Sequence, residues 1–116
     1  MKTTLSILFI CFSLNTISAT FSKETSIEIF VTAIKEDNFN YITSVLRSKQ
    51  LNVNQAYNGK SLLFYAIDFD NAEMVNLLVR YGARLDLTND AGETPLEYAK
   101  SQNKILALAE LIVIMA

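Results

Sequence analysis

Asn58-Gly59-Lys60-Ser61 is the stretch whose residue types most resemble working chemistry. Gly-Lys-Ser closes a phosphate-cradling loop, where glycine admits close backbone approach and lysine meets the phosphate charge. The first glycine of that loop is missing here, and no Gly-x-Gly-x-x-Gly run occurs elsewhere. A nucleotide site is therefore not expected. Asp68 and Asp70 are the closest-spaced acids with metal-site character, but side chains two apart on a helix diverge. Glu24, Glu28, Glu36, Asp37 and the remaining acids are dispersed as on solvated helix faces. The chain has no histidine and one cysteine, which removes the usual serine and cysteine triads and any histidine metal site. Neither catalysis, nor a bound metal, nor a cofactor is expected. A formal charge of −2 gives no pull toward nucleic acid, so no nucleic-acid partner is expected either.

The elements around these residues begin after a distinctive leader. Met1-Lys2 is followed by an apolar run, Leu5 to Leu14, and by the exit Asn15-Thr16-Ile17-Ser18-Ala19. A basic start, a short apolar stretch and small exit residues make a secretory signal, expected over residues 1–19 and cut near Ala19. The run is about half the ~20 apolar residues that a membrane span needs. Cys11 follows Ile10, which is not the small residue a lipoprotein signal places there, so lipidation is not expected. Cleavage leaves 97 of the 116 residues, free of thiol and at charge −3, exported to a periplasm or beyond the cell. No membrane span remains in that mature chain, and its stability must come from packing alone.

The rest of the chain repeats itself. Sliding it by 33 positions lays Gly59 on Gly92, Ser61 on Thr94, Leu63 on Leu96, Tyr65 on Tyr98 and Ala66 on Ala99. In the other direction, Ala33-Ile34 and Asp37-Asn38 fall on Ala66-Ile67 and Asp70-Asn71. Such a period marks stacked supersecondary units. In the middle copy, Leu62-Leu63 and Ala66-Ile67 put apolar groups on one helix face. Asn71 caps a second helix carrying Met74, Val75, Leu77 and Leu78. Gly82 ends it in a left-handed turn. Arg84-Leu85-Asp86-Leu87 reads as extended, and Asn89-Asp90-Ala91-Gly92 turns the chain back. Thr94-Pro95-Leu96-Glu97 opens the third copy with a cap, a proline at the first helical position and a capping-box glutamate. Gly59, Gly82, Gly92 and Pro95 are all the glycines and prolines of the chain, and each sits where the repeat requires it.

Asn89-Asp90-Ala91-Gly92-Glu93-Thr94-Pro95-Leu96-Glu97-Tyr98-Ala99 and Met74-Val75-Asn76-Leu77-Leu78-Val79-Arg80-Tyr81-Gly82-Ala83 resemble the opening and close of the ankyrin repeat. The resemblance implies an all-α solenoid of helix-turn-helix pairs joined by short hairpin loops. It covers nearly all of 20–116, with repeats at about 25–55, 56–88 and 89–116. The first copy departs from the pattern, having lost the opening loop and the Gly-Ala. The family's histidine after Thr-Pro-Leu is also gone, replaced by Phe64 in one copy and Glu97 in another. That histidine usually braces the loop, so the brace must be replaced or absent.

Ankyrin-like proteins usually bind other proteins through hairpin tips and the exposed side of each repeat's first helix, which line a concave face. Mapped here, those slots are Tyr57, Asn58, Lys60, Asp68 and Phe69 in the second copy. They are Asp90, Ala91, Glu93, Ser101 and Gln102 in the third, and Lys35 and Glu36 in the first. Tyr57 and Phe69 stand out as aromatic anchors. Tyr65 and Tyr98 fit inter-repeat packing better. The helix over 105–116 carries one charge, Glu110, and reads either as a poorly capped end or as a patch for self-association or a partner. The expected function is an exported, non-enzymatic module that binds a protein. The alternatives are a self-associating structural element and a degenerate fragment of a longer array. The leader on so small a unit, with much Ile, Asn, Lys and Phe, points to a bacterial source.

Overall fold

The computed structural model describes residues 24–116, with side chains from Ile27 onward. The expected signal over 1–19, and Cys11 within it, lie outside these residues. Helices α1 (Glu24–Lys35) and α2 (Phe39–Arg47) come first. A small hairpin of β1 (Ala56–Tyr57) and β2 (Lys60–Ser61) follows. Then come α3 (Leu62–Asp68), α4 (Ala72–Arg80), α5 (Pro95–Ser101) and α6 (Ile105–Met115). Helix α3 packs between α1 and α5, and α4 lies against α6. Each inner helix also packs on its outer mate, giving stacked pairs.

The apolar spacing decides which face each helix buries. Ile27, Phe30 and Ile34 recur at helical spacing along α1 and are buried. Leu62, Leu63, Phe64, Ala66 and Ile67 bury almost the whole circumference of α3, as the central inner helix must. Met74, Val75 and Leu78 from α4, with Ala99, Ala107 and Leu111, continue the same core.

Helix starts follow local capping chemistry. The Asn38 Oδ1 accepts from the Tyr41 N–H at 3.2 Å, and the Asn71 Oδ1 from the Met74 N–H at 3.1 Å. Thr94 and Glu97 complete the expected capping box, with Pro95 in the first turn. Ser61 in the matching slot of α3 makes no cap bond, and its buried Oγ has no partner among the described residues. The third residue of that helix is Phe64, which cannot reach back as Glu97 does.

Helix ends share one device. In each of the first five helices the chain closes with a six-to-one and a five-to-two backbone bond around a left-handed residue. The closing residues are Asp37, Lys49, Asp70, Gly82 and Asn103, with φ of 57°, 58°, 49°, 100° and 55°. The Ala83 N–H to Leu78 carbonyl bond and the Gly82 N–H to Val79 carbonyl bond, both 2.9 Å, typify the pattern. Asp and Asn tolerate this region better than other side-chain-bearing residues, and a lysine does not share that advantage.

The two hairpin tips differ. Asn58 and Gly59, at φ 51° and 83°, form a two-residue turn with both central residues left-handed. Ala56 pairs with Ser61 and Tyr57 with Lys60. The second tip forms no strand ladder. Residues 84–87, expected to be extended, bend at Leu85 and Asp86, where the Arg84 guanidinium grips the Asp86 carboxylate at 2.8 Å. The Asn89 side chain, rather than a facing strand, accepts from the Ala91 and Glu93 N–H groups at 3.1 and 2.9 Å.

Candidate protein-binding face

The hairpins are tied to the inner helices by a polar chain that crosses all three pairs. The Tyr65 hydroxyl donates to the Tyr57 carbonyl at 2.6 Å, fastening β1 to α3. The Tyr57 hydroxyl in turn donates to Glu28 on α1 at 3.2 Å. Lys60 in β2 forms an ion pair with Asp68 at the far end of α3. The Tyr98 hydroxyl on α5 donates to the other Asp68 oxygen. The Lys60 ammonium stands 4.6 Å from the centre of the Tyr65 ring and 5.8 Å from that of Tyr98. Both lie within reach of cation–π attraction. Tyr98 also packs edge-on against buried Phe64 at 5.2 Å.

With the family's histidine absent, other groups hold the loops. Tyr65 holds the first hairpin, Asn89 holds the second from within, and Glu97 caps its own helix. Phe64, in the other histidine slot, is wholly buried as packing. The electrostatics follow from this placement. Burial, the bond to Asp68 and the nearby Asp68 and Glu93 charges push the Tyr98 phenol up to about 12. Burial and Glu28 raise Tyr57, and burial, Tyr57 and Asp68 raise Tyr65. The Thr94 bonds hold the Glu97 carboxyl below its ordinary value.

Of the residues expected to form the face, Tyr57, Lys60 and Asp68 meet in this network. Asn58 is exposed at the first tip, and Asp90 and Ala91 at the second. Asp90 lies directly against Gly59, so that a Cβ there would meet a carboxylate oxygen at 2.1 Å. Glu93 is half-buried beside Asn89. Ser101 and Gln102 are exposed at the end of α5, and Lys35 and Glu36 at the end of α1.

Tyr57 and Phe69 lie in different surroundings. Tyr57 is half-buried with its hydroxyl engaged, whereas Phe69 lines a groove of about 470 Å³ with Lys35, Asp37, Phe39 and Leu106. Phe69 is the C-cap residue of α3. Asp68 and Asp70 also serve different partners, since Asp70 accepts from the Ala107 N–H of α6 at 2.8 Å. Lys60, in the Gly-Lys-Ser stretch, spends its charge on Asp68.

The sequence alone does not single out Glu28 or the hydroxyl roles of Tyr65 and Tyr98. Their one sequence signal is the 33-residue recurrence of tyrosine, with Asp68 three residues beyond Tyr65 on the same helix face.

Further polar bonds join the pairs away from this face. Asn54 donates to the Gly82 carbonyl at 3.0 Å and accepts from the Arg84 N–H at 2.8 Å. Asn76 on α4 donates to Glu110 on α6 at 2.8 Å. Among the described residues, no helix is long and apolar enough to cross a membrane.

Comparison with known proteins agrees with this architecture. The family model of ankyrin repeats in three copies matches residues 29–114. The chain is also similar to alpha-latrotoxin-Lg1a of Latrodectus geometricus, at 30% identity over 86 residues. That match covers 72% of this chain and 6% of the toxin, so the chain corresponds to a small part of that protein. The stacked helix pairs, the 33-residue period and the family match together place this chain in the ankyrin repeat family.

Proposed function

We propose that the chain is an exported, non-enzymatic module that binds a protein partner through its hairpin tips and inner-helix face. The observation that carries this reading is the bracing of the tips. Tyr65 fixes the first hairpin from α3, Asp90 packs onto Gly59 between the two tips, and Asn89 holds the second. Tips ordered in advance lose little freedom on binding, which leaves more of the contact energy for affinity. The partner would meet Asn58, Lys60 and Asp90 at the tips, and Tyr57, Asp68, Glu93, Ser101 and Gln102 behind them. Phe69 borders the neighbouring groove and would touch only a partner that extends past α3. Export rests on the leader over 1–19, with the mature domain beginning near Thr20. The repeats would then divide near 55 and 88.

The chain isolated from its own cell with an affinity tag at Ala116 tests both parts. The expected recovery is a chain that starts near Thr20, bound to a partner protein. An intact Met1-Lys2 start refutes cleavage. The double substitution Asn58→Gly with Gln102→Ala keeps the left-handed turn and leaves the stack untouched. It should weaken capture roughly tenfold, the scale of removing peripheral contacts from an interface. Equal capture by the variant would place the binding surface elsewhere.

A further inference from the structure

Helix α6 shows an apolar surface that its neighbours leave open. Its inner side is settled: Ala107 and Leu111 are wholly buried, and Glu110 is engaged by Asn76. On its other side Ile105, Leu106, Ile112, Val113 and Met115 remain 62, 61, 53, 70 and 52% exposed. Elsewhere among the described residues, only Ile29 and Phe69 are large hydrophobics exposed in this way. Phe69 shares its groove with Leu106, so it extends the same surface.

The spacing on α6 suits another helix. Ile105, Ala109 and Ile112 follow one another at steps of four and three, the stripe of a helix–helix seam. Leu106 and Val113 flank it on one side. The only charged residue within the helix is Glu110, which faces α4, so nothing on the stripe resists burial. The five large side chains expose on the order of 600 Å², the upper range for a monomer's largest apolar patch. Two such surfaces together reach the roughly 1,000 Å² that a specific interface needs.

The stripe is self-complementary. Small Ala109 sits between Ile105 and Ile112, so an antiparallel copy crossing at Ala109 sets each Ile105 beside the other copy's Ile112 and Val113. A head-to-tail stack lacks this match, because α1 and α2 offer one exposed large aliphatic, Ile29, among the described residues. Like surfaces meeting about a two-fold axis also close the assembly at two copies, where head-to-tail contacts continue into rings or filaments. We propose that a second copy of this chain covers α6, in an antiparallel α6–α6 pair centred on Ala109. This surface is independent of the hairpin face.

Sedimentation velocity across a concentration series, on the chain purified from its own cell, tests the pairing. A monomer–dimer equilibrium is expected. Ala109→Glu places two like charges at the centre of the pair and should raise the dissociation constant roughly 100-fold or more. Val113→Lys, at the most exposed position of the helix, serves as the second variant should the first lose helix content by circular dichroism. Ala109→Cys should form a symmetric disulfide on oxidation, and Lys100→Cys should not. Monomer at every concentration overturns the proposal. So does a dimer that persists in folded Ala109→Glu or Val113→Lys.

Discussion

At the scale of single residues, one carboxylate organises the inner face. Asp68 takes an ammonium on one oxygen and a phenol on the other, and both donors come from outside its own helix. The arrangement leaves a signature at high pH. Burial and Asp68 lift the Tyr98 phenol from its ordinary value of 10.0 to about 12. A raised folded value means that the folded state holds its proton longer than the unfolded state. The stabilisation is therefore whole below the ordinary tyrosine value and is lost as pH rises through about 12. A spectrophotometric tyrosine titration should show its last phenol ionising near pH 12, and Tyr98→Phe should remove that last step. A Tyr98→Phe titration that matches the parent would contradict the bond to Asp68. None of this is readable residue by residue. Lys60 and Asp68 stand eight positions apart, and only the orientation of α3 under its hairpin brings them together.

At the scale of elements, starts were legible in the sequence and stops less so. Asn71 and the Thr94-Pro95-Glu97 set act within one turn, so short-range chemistry decides them. Gly82 marks its helix end in the same direct way. Asp37, Asp70 and Asn103 do the same job without glycine, at intervals of 33, and composition alone hides them. The bend at Leu85 and Asp86 departs from the expected extended run, in a loop that the Asn89 side chain holds in place of a strand ladder. Lys49 stands 33 residues before Gly82 and closes α2 at φ 58°, a conformation costly for a side chain without local bonding. Lys49→Gly should therefore stabilise the protein by about 1 kcal/mol, read from its urea midpoint. Lower stability would mean that the exposed lysine contributes more than its backbone strain costs.

At the scale of the whole molecule, three pairs are close to the fewest that a stacked solenoid can use, since each pair needs neighbours to cover its apolar faces. The period of 33 made the stack legible, because the core positions recur with it. The open surface of α6 was legible as an apolar run, but which of its residues stay exposed depends on how α4 and α5 pack against it. The polar links through Glu28, Asn54, Asp68, Asp70 and Asn76 join neighbouring pairs, so the tips ride on one continuous framework. The proposed function has a partner protein gripped by those tips. Site-specific photo-crosslinking in the native cell tests it most directly, with the reactive group at Asn58 or Ala91 on the tips, or at Arg47 or Arg80 on the outer helices. Crosslinks to a partner protein from 58 and 91, and none from 47 and 80, are the predicted result. Crosslinks from the outer-helix positions with none from the tips would contradict it.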